Sequence, residues 1–459
     1  MSRKRSVAWT LAAAMVASSG LSGCAGYHPD PLVDRPDLAA GLDGIAVDQA
    51  AMPLPELRSH AVDPSRPLDM DAVAMLAVSR NPDLRTARVR AHVTHAEAFN
   101  AGLLPNPTFS ADYGVVSSGP GTVGAFTLAL MQDIMPFVTL SSRRDAGRAL
   151  VRGAELDLLW QEWQVVSQAR LLTVRAVSLA KQRALLDSNR NLFRERSSAT
   201  RAALLRGDET LVNVVSDLAA LTSIETQLHD LDQQTLSNQF DLDALLGLEP
   251  GTELSLADSI DLPDPDSDKI RAALPDLVGR RPDLLALKAG YEAQEEAVYQ
   301  AVLNQFPPLS LGGNRASDNT NVKSWTGSIS IALPVFNHNE GAIAVEKANR
   351  ETLKADYQAR LDAAYAGVRQ TLSEIALLRA QYESCADSLT VLDGAGRQSE
   401  AAFRGGGLDE RSFADLKAAE LARRLEATRI EEALLEQKVT LRTLVGSVVP
   451  DTLKKDDQP

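Results

Sequence analysis

The sequence predicts a mainly helical chain with a minority of β-strand, one unit written twice: a strand pair followed by a long helical hairpin. Three observations carry this. Four landmarks recur at one spacing, two long windows lack proline, and short segments ahead of each window alternate apolar and polar residues. Composition agrees: of 459 residues only 5% are aromatic, and abundant Ala, Leu, Gln, Glu and Arg favour long helices over a β-rich globule. Lys and Arg total 47 against 61 Asp and Glu, a net charge of −14, which argues against a nucleic-acid protein because that needs a basic face. Two cysteines, Cys24 and Cys385, argue against a disulfide framework or a Cys-based zinc site. Beyond the N-terminal stretch no apolar run reaches the roughly 18–20 residues of a spanning helix, which excludes an α-helical membrane transporter.

At the N-terminus, Arg3, Lys4 and Arg5 precede a short apolar stretch from Trp9 to Val16, the pattern of a secretory signal. Leu21-Ser22-Gly23-Cys24 resembles the bacterial lipobox, so residues 1–23 are expected to be removed and Cys24 lipidated. Residue 25 is Ala, not the Asp of the usual inner-membrane retention signal. Cleavage removes three positive charges and no acids, leaving 44 − 61 = −17. Acyl chains hold at about 0.8 kcal/mol per buried CH₂.

The first repeat is expected over residues 69–250 and the second over 269–450. Asn81-Pro82-Asp83-Leu84 recurs as Arg281-Pro282-Asp283-Leu284, and Pro107 before Thr108 to Ser110 recurs as Pro308 before Leu309 to Leu311. Pro136-Phe137 recurs as Pro334-Val335-Phe336, and Arg206-Gly207-Asp208 as Gly405-Gly406-Gly407, all at offsets of about 200. The strand pairs occupy 107–136 and 308–334; the hairpins occupy 138–247 and 341–446. Residues 251–268, with Pro263, Pro265 and many acids, read as a linker, and 451–459 as a disordered tail.

Proline is missing from residues 137–249 and 335–449 although the chain has 22. Inside a helix it costs about 3 kcal/mol, so both windows suit uninterrupted helices. Both close on a Gly-then-Pro stop, at Gly247 to Pro250 and Gly446 to Pro450. Val165, Ala169, Leu172, Ala176, Leu179 and Leu186 form a heptad seam, with Arg183 in the missing slot. Gly207 permits a reversal, and Leu211 to Leu246 returns antiparallel. The second hairpin runs out from Ala342 to Arg404, interrupted by Gly367, Gly394 and Gly396, and back from Leu408 to Leu444.

In the strand segments Trp325, Ile329, Ile331 and Leu333 alternate with Thr326, Ser328 and Ser330. Phe109, Ala111, Tyr113 and Val115 alternate with Ser110, Asp112 and Gly114; Phe126, Leu128 and Leu130 with Thr127 and Ala129; and Leu309 and Leu311 flank Ser310. This suits a half-buried sheet or a membrane barrel with lipid outside and water inside. Four strands cannot close a barrel, since the smallest bacterial barrels have eight, so a barrel must be shared between chains.

The lipobox, the duplicated strand pairs and the duplicated hairpins together resemble the TolC-like outer-membrane efflux proteins, from about residue 69 to residue 450. The resemblance implies a homotrimer in the Gram-negative outer membrane: a twelve-stranded barrel, four strands per chain, continued by a long periplasmic α-helical barrel. Residues 24–68 would run extended along that barrel from the lipid anchor. Residues 333–341, from Leu333 to Gly341, resemble the cobalt–zinc–cadmium branch, which usually carries Arg and Gln where this chain has His338 and Glu340. The implied function is the passive exit duct of a tripartite pump, served by a periplasmic adaptor and an inner-membrane resistance–nodulation–division pump. Heavy-metal cations are the first expected cargo; drug or other small-molecule efflux, or type I secretion, is the alternative. A lipid-anchored structural spacer without a pore is the reading of another class. A periplasmic adaptor fits less well, because adaptors carry one hairpin within β-rich domains.

No catalytic set and no nucleotide motif is visible, so neither enzymatic activity nor a cofactor is expected. His92 and His95 stand i, i+3 without a third ligand, and read as a solvated helix face; His338 reads as a turn residue. The hairpin turns carry the chemistry. Gly207 and Gly405, Gly406 and Gly407 make the reversals; Asp208 and Glu209 follow the first, and Asp409, Glu410 and Asp415 the second. In a trimer each acid becomes a ring of three, which attracts cations. The resemblance places the periplasmic aperture and adaptor contacts there, with Asp415 matching an aperture acid.

Overall fold

The computed structural model describes residues 27–42, 45–63, 65–118, 123–447, 449 and 453. Cys24, the signal segment and most of the tail lie outside them, as does the side chain of Glu410. Residues up to Leu38 form a unit of their own; its described part has neither helix nor strand and exposes Tyr27, Leu32 and Val33. The second unit begins at Ala39 and holds all the helices and strands described below.

Two helices open the first repeat, and the second opens with short turns of helix between Ser267 and Arg280 ahead of a longer one. Helix α1, Met70–Arg80, starts at Asp69, whose carboxylate accepts the Ala72 N–H at 2.8 Å, and it is buried from Ala72 through Val78. Helix α2, Pro82–Ala101, is capped by Asn81, which accepts the Leu84 N–H at 2.9 Å, with Pro82 filling the first helical position. Strands β1, Thr108–Gly114, and β2, Ala125–Asp133, follow. Helix α3, Leu140–Arg206, has 67 residues, and α4, Leu211–Leu246, has 36; at 1.5 Å per residue α3 is about 100 Å long. The second repeat runs through α5, Pro282–Leu303, β3, Leu309–Ser317, β4, Lys323–Ile331, α6, Glu340–Arg404, and α7, Glu410–Val445. Helices α6 and α7 have 65 and 36 residues.

The duplication reaches single atoms. Helix α4 ends at Gly247 (φ +64°) and α7 at Gly446 (φ +76°). A Cβ on Gly247 would stand 3.0 Å from the Arg80 carbonyl, and one on Gly446 would overlap the Arg280 carbonyl. Asn81 donates to the Leu245 carbonyl at 3.0 Å, and Arg281 to that of Leu444 at 3.4 Å. In each repeat the start of a short helix is thus tied to the end of a long hairpin.

The strands form one antiparallel sheet in the order β1-β2-β3-β4, so the two predicted pairs are joined through β2 and β3. Their ends differ from expectation. β2 stops at Asp133, with Pro136 in a helical turn, Met135–Val138; β4 runs Lys323–Ile331, leaving Leu333 outside; and β1 stops before Val115. Proline removes a ladder donor, so both proline landmarks fall in the turns beyond the strands.

Three further expectations are corrected. Gly367, Gly394 and Gly396 do not break α6; a helical Gly costs about 1 kcal/mol relative to Ala, little against the packing of so long a helix. Arg183 does not fill the seam: it is exposed and ion-paired to Asp232 of α4, while Gln182 is buried in its place. The seam proper is Leu172, Leu179, Leu186, Phe193 and Thr200, all buried at a strict spacing of seven. Residues 39–68 do not run along the strands. Met52, Leu54, Leu57 and Leu68 are buried against α1 and against Leu156 to Leu172 of α3, roughly 24–48 Å beyond the start of that helix. Ala39 and Leu68 bridge to Leu248 and Leu256. The linker packs as well: Leu262 is buried, and Asp264 pairs with Lys438 at 2.8 Å and with Arg379.

Candidate functional site

Two regions bear on function, the hairpin tips and the sheet. At the first tip Gly207 takes the left-handed conformation (φ +82°), and the Asp208 N–H closes on the Ala203 carbonyl at 3.0 Å. At the second, Gly405 caps α6, Gly406 is left-handed (φ +73°), and the Gly407 N–H closes on the Ala402 carbonyl at 2.8 Å. Both reversals are built alike.

The acids are held within their own tips. Asp208 pairs with Arg206 at 2.9 Å, and Glu209 accepts from Asn213 Nδ2 at 2.8 Å. Asp409 caps α7, accepting from the Ser412 N–H at 3.0 Å and its hydroxyl at 2.6 Å; these bonds hold its carboxyl below the usual aspartate value. Asp415 is 73% exposed, with Arg411 one turn back at 3.9 Å.

What joins the tips is a cluster that sequence reasoning missed. Arg196 of α3 lies over the rings of Phe403 (4.9 Å) and Phe413 (4.6 Å), which stack on each other at 4.8 Å. Its guanidinium is 3.7 Å from Asp217 of α4, fully buried, which also accepts from the Thr200 hydroxyl at 2.7 Å. Burial lowers the Arg196 pKa, while the charge of Asp217 opposes that shift. All four hairpin helices thus meet on one buried cation. The available signal was the pair of phenylalanines flanking Gly405 to Gly407 in a chain with only 10. Just inside, Leu179, Leu186 and Phe193, Ile224, Leu228 and Leu231, and Ala414, Leu421 and Leu425 continue the joint core.

The sheet sorts its residues by face. Partners in register share a face, so Phe109, Tyr113, Phe126, Leu128, Leu130, Leu309, Leu311, Trp325, Ile329 and Ile331 lie together. The other face carries Ser110, Asp112, Thr127, Asn314, Thr326, Ser328 and Ser330. Met131 is the apolar exception there, lying across Gly312 beside Ser328. β1 and β4 are edges without partners among the described residues.

His95 pairs with Glu155 at 3.0 Å, with the His92 ring 6.5 Å away. His338 is a left-handed turn residue (φ +42°). No group of three metal-ligating side chains occurs among the described residues, and none of their helices is long and apolar enough to cross a membrane. Cys385 is buried, and burial raises its thiol pKa.

Residues 273–447 match the family model of the outer membrane efflux protein. The fold is that of solved outer-membrane channels. The outer-membrane channel OprN superposes with a TM-score of 0.70 at 20% identity, covering 92% of this chain and 99% of that one. The open-state MtrE channel of Neisseria gonorrhoeae gives 0.69 at 16%, covering 95% and 100%. The CmeC channel of Campylobacter jejuni gives 0.68 at 17%, covering 82% and 85%. No curated protein sequence matches the chain.

Proposed function

From an outer membrane efflux protein domain over residues 273–447 and a fold shared with solved outer-membrane channels, we propose that this chain is the passive exit duct of a tripartite efflux pump. The observation that carries the reading is the sheet: one apolar face, one polar face and two unpaired edges. Backbone groups on such edges cannot be left bare in hydrocarbon. Three copies joined edge to edge make a closed twelve-stranded barrel with the polar face on water, and the long helices continue it as a periplasmic tunnel. The energy comes from an inner-membrane pump, coupled through an adaptor that grips the hairpin tips. Acylated Cys24 holds each chain to the outer membrane.

Selectivity is electrostatic. Asp208, Glu209, Asp409, Glu410 and Asp415 form three-fold rings near the taper, which favours divalent heavy-metal cations as cargo. The pairing of Asp208 with Arg206 and of Asp415 with Arg411 reduces those fields, and favours a second reading in which uncharged or mixed small molecules pass. Planar-bilayer conductance of the purified protein, with reversal potentials in asymmetric salt, tests both. Steps of conductance with cation preference support the metal reading, weak selectivity supports the second, and silence supports a spacer without a pore.

A further inference from the structure

The apolar face of the sheet changes character at one end. Every strand meets its helices at the Thr108, Asp133, Leu309 or Ile331 end, so the opposite end is the loop end. In register the face comprises five rows, from Leu309 with Ile331 at the helix end to Ser317 with Lys323 at the loop end. β3 and β4 have nine residues each, the length of a tilted bilayer-spanning strand, about 9–11 residues. The lower rows hold Leu130, Leu309, Leu311, Ile329, Ile331 and Phe109, with Gln132 the one polar side chain among them. The two outermost rows hold Arg315 opposite Trp325, and Lys323 opposite Ser317, with Tyr113 in the same outermost row.

These two cations stand alone on their face. No Asp or Glu of the four strands points to that side. Arg315 lies 5.3 Å over the Trp325 ring, and its shielded Nε has no hydrogen-bond acceptor. Lys323 forms no ion pair among the described residues. The two are diagonal neighbours on adjacent strands, about 7–8 Å apart, so both side chains reach one phosphate. A lipid-facing cation is tolerated only toward the headgroups, and Trp and Tyr favour that same level.

We propose that Arg315 and Lys323, beside Trp325, bind the phosphate of an anionic lipid headgroup in the outer leaflet. The inference rests on the reading that the sheet crosses the outer membrane. The guanidinium fork suits phosphate oxygens, and the acyl chains of the same molecule cover the aliphatic rows beneath. One half-buried and one exposed cation alone hold a soluble phosphate weakly, so the lipid is the occupant.

The test uses the full-length purified protein in phosphatidylcholine vesicles doped with bis-phosphorylated lipid A, with its dephosphorylated form, or with neither. Native mass spectrometry counts the lipid retained, and semi-native gels follow the oligomer. The wild type should retain the phosphorylated lipid, and retention should weaken about fivefold for each cation removed, in Lys323→Gln and then in Arg315→Gln/Lys323→Gln. Arg315→Lys should restore part of the loss. Lys323→Gln sits at an exposed strand end, so its effect does not depend on misfolding. Equal retention by wild type and double variant, or of the dephosphorylated lipid, overturns the proposal. Displacement by inorganic phosphate at equal concentration makes it a free-anion site, and overturns it too. Failure of the wild type to enter vesicles at all instead overturns the underlying membrane reading.

Discussion

Asp283 stands between two guanidiniums. Arg281 holds both of its oxygens at 2.9 and 2.7 Å and Arg360 adds a third bond at 2.7 Å, while both arginines lie over the Trp160 ring. The Arg281 and Asp283 side chains are 3% and 6% exposed. Burial pushes the Asp283 carboxyl up, but the bonds and charges of the two arginines outweigh it and leave the pKa below its ordinary value. The group therefore stabilises the fold above the unfolded pKa of about 3.9, and that contribution is lost as pH falls through the lower folded value. Asp283→Asn leaves buried Arg281 without its counter-charge and should cost about 3–5 kcal/mol at neutral pH. Thermal melts followed by circular dichroism should show that loss at pH 7, and a gap between variant and wild type that narrows below about pH 4. Two glycines make a second comparison. Gly207 has open space around a missing Cβ, so Gly207→Ala should cost only the left-handed penalty, about 1–2 kcal/mol. Gly446→Ala adds a clash with the Arg280 backbone and should be the more damaging of the two by denaturant midpoint.

At the scale of elements, a strand's face is fixed by its pleat. Ile329 and Leu311 are partners on the apolar side, Ser330 and Ser310 on the polar side. Ile329→Arg should cost about 2–4 kcal/mol toward the midplane, and Ser330→Arg much less. Single cysteines at 328, 329, 330 and 331 should label alternately with a water-soluble thiol reagent in vesicles, and uniform labelling would sink the membrane strand. These faces were legible in the sequence because alternation depends only on the period of a strand. The strand ends were not, because proline marks where a ladder must stop and not where it stops. The hairpins were legible from missing proline and from glycine at the turns. The slot given to Arg183 was wrong because charge and seam position compete there, and the ion pair with Asp232 on the facing helix decides it. The Arg196 cluster was invisible for a related reason: its parts come from four helices that meet only in the tertiary fold.

At the scale of the whole molecule, two open sheet edges predict association. The detergent-purified protein should run as a trimer by light scattering, and a monomeric mass with intact strand content would refute the shared barrel. Cys24→Ser should abolish palmitate labelling and weaken membrane retention. In the proposed trimer the acids of the tips would act together, and their reach sets which of them matters. The Debye length is about 8 Å at physiological ionic strength, so only a ring on a narrow lumen influences a passing ion. Asp415, with Arg411 one turn away at 3.9 Å, tests this from both signs. Asp415→Asn leaves three guanidiniums at that level and should lower cation preference; Arg411→Gln leaves three carboxylates and should raise it. Asp112, on the polar face of β1, serves as the control, since the proposed duct puts it in the wide barrel, where its neutralisation should change selectivity less. Single-channel reversal potentials read all three. Opposite shifts in the two tip variants, shrinking together as salt is raised, are the signature of a charged constriction. If both tip variants keep the wild-type reversal potential while trimers form normally, Asp415 belongs to a solvated tip and the selective ring lies elsewhere in the tunnel.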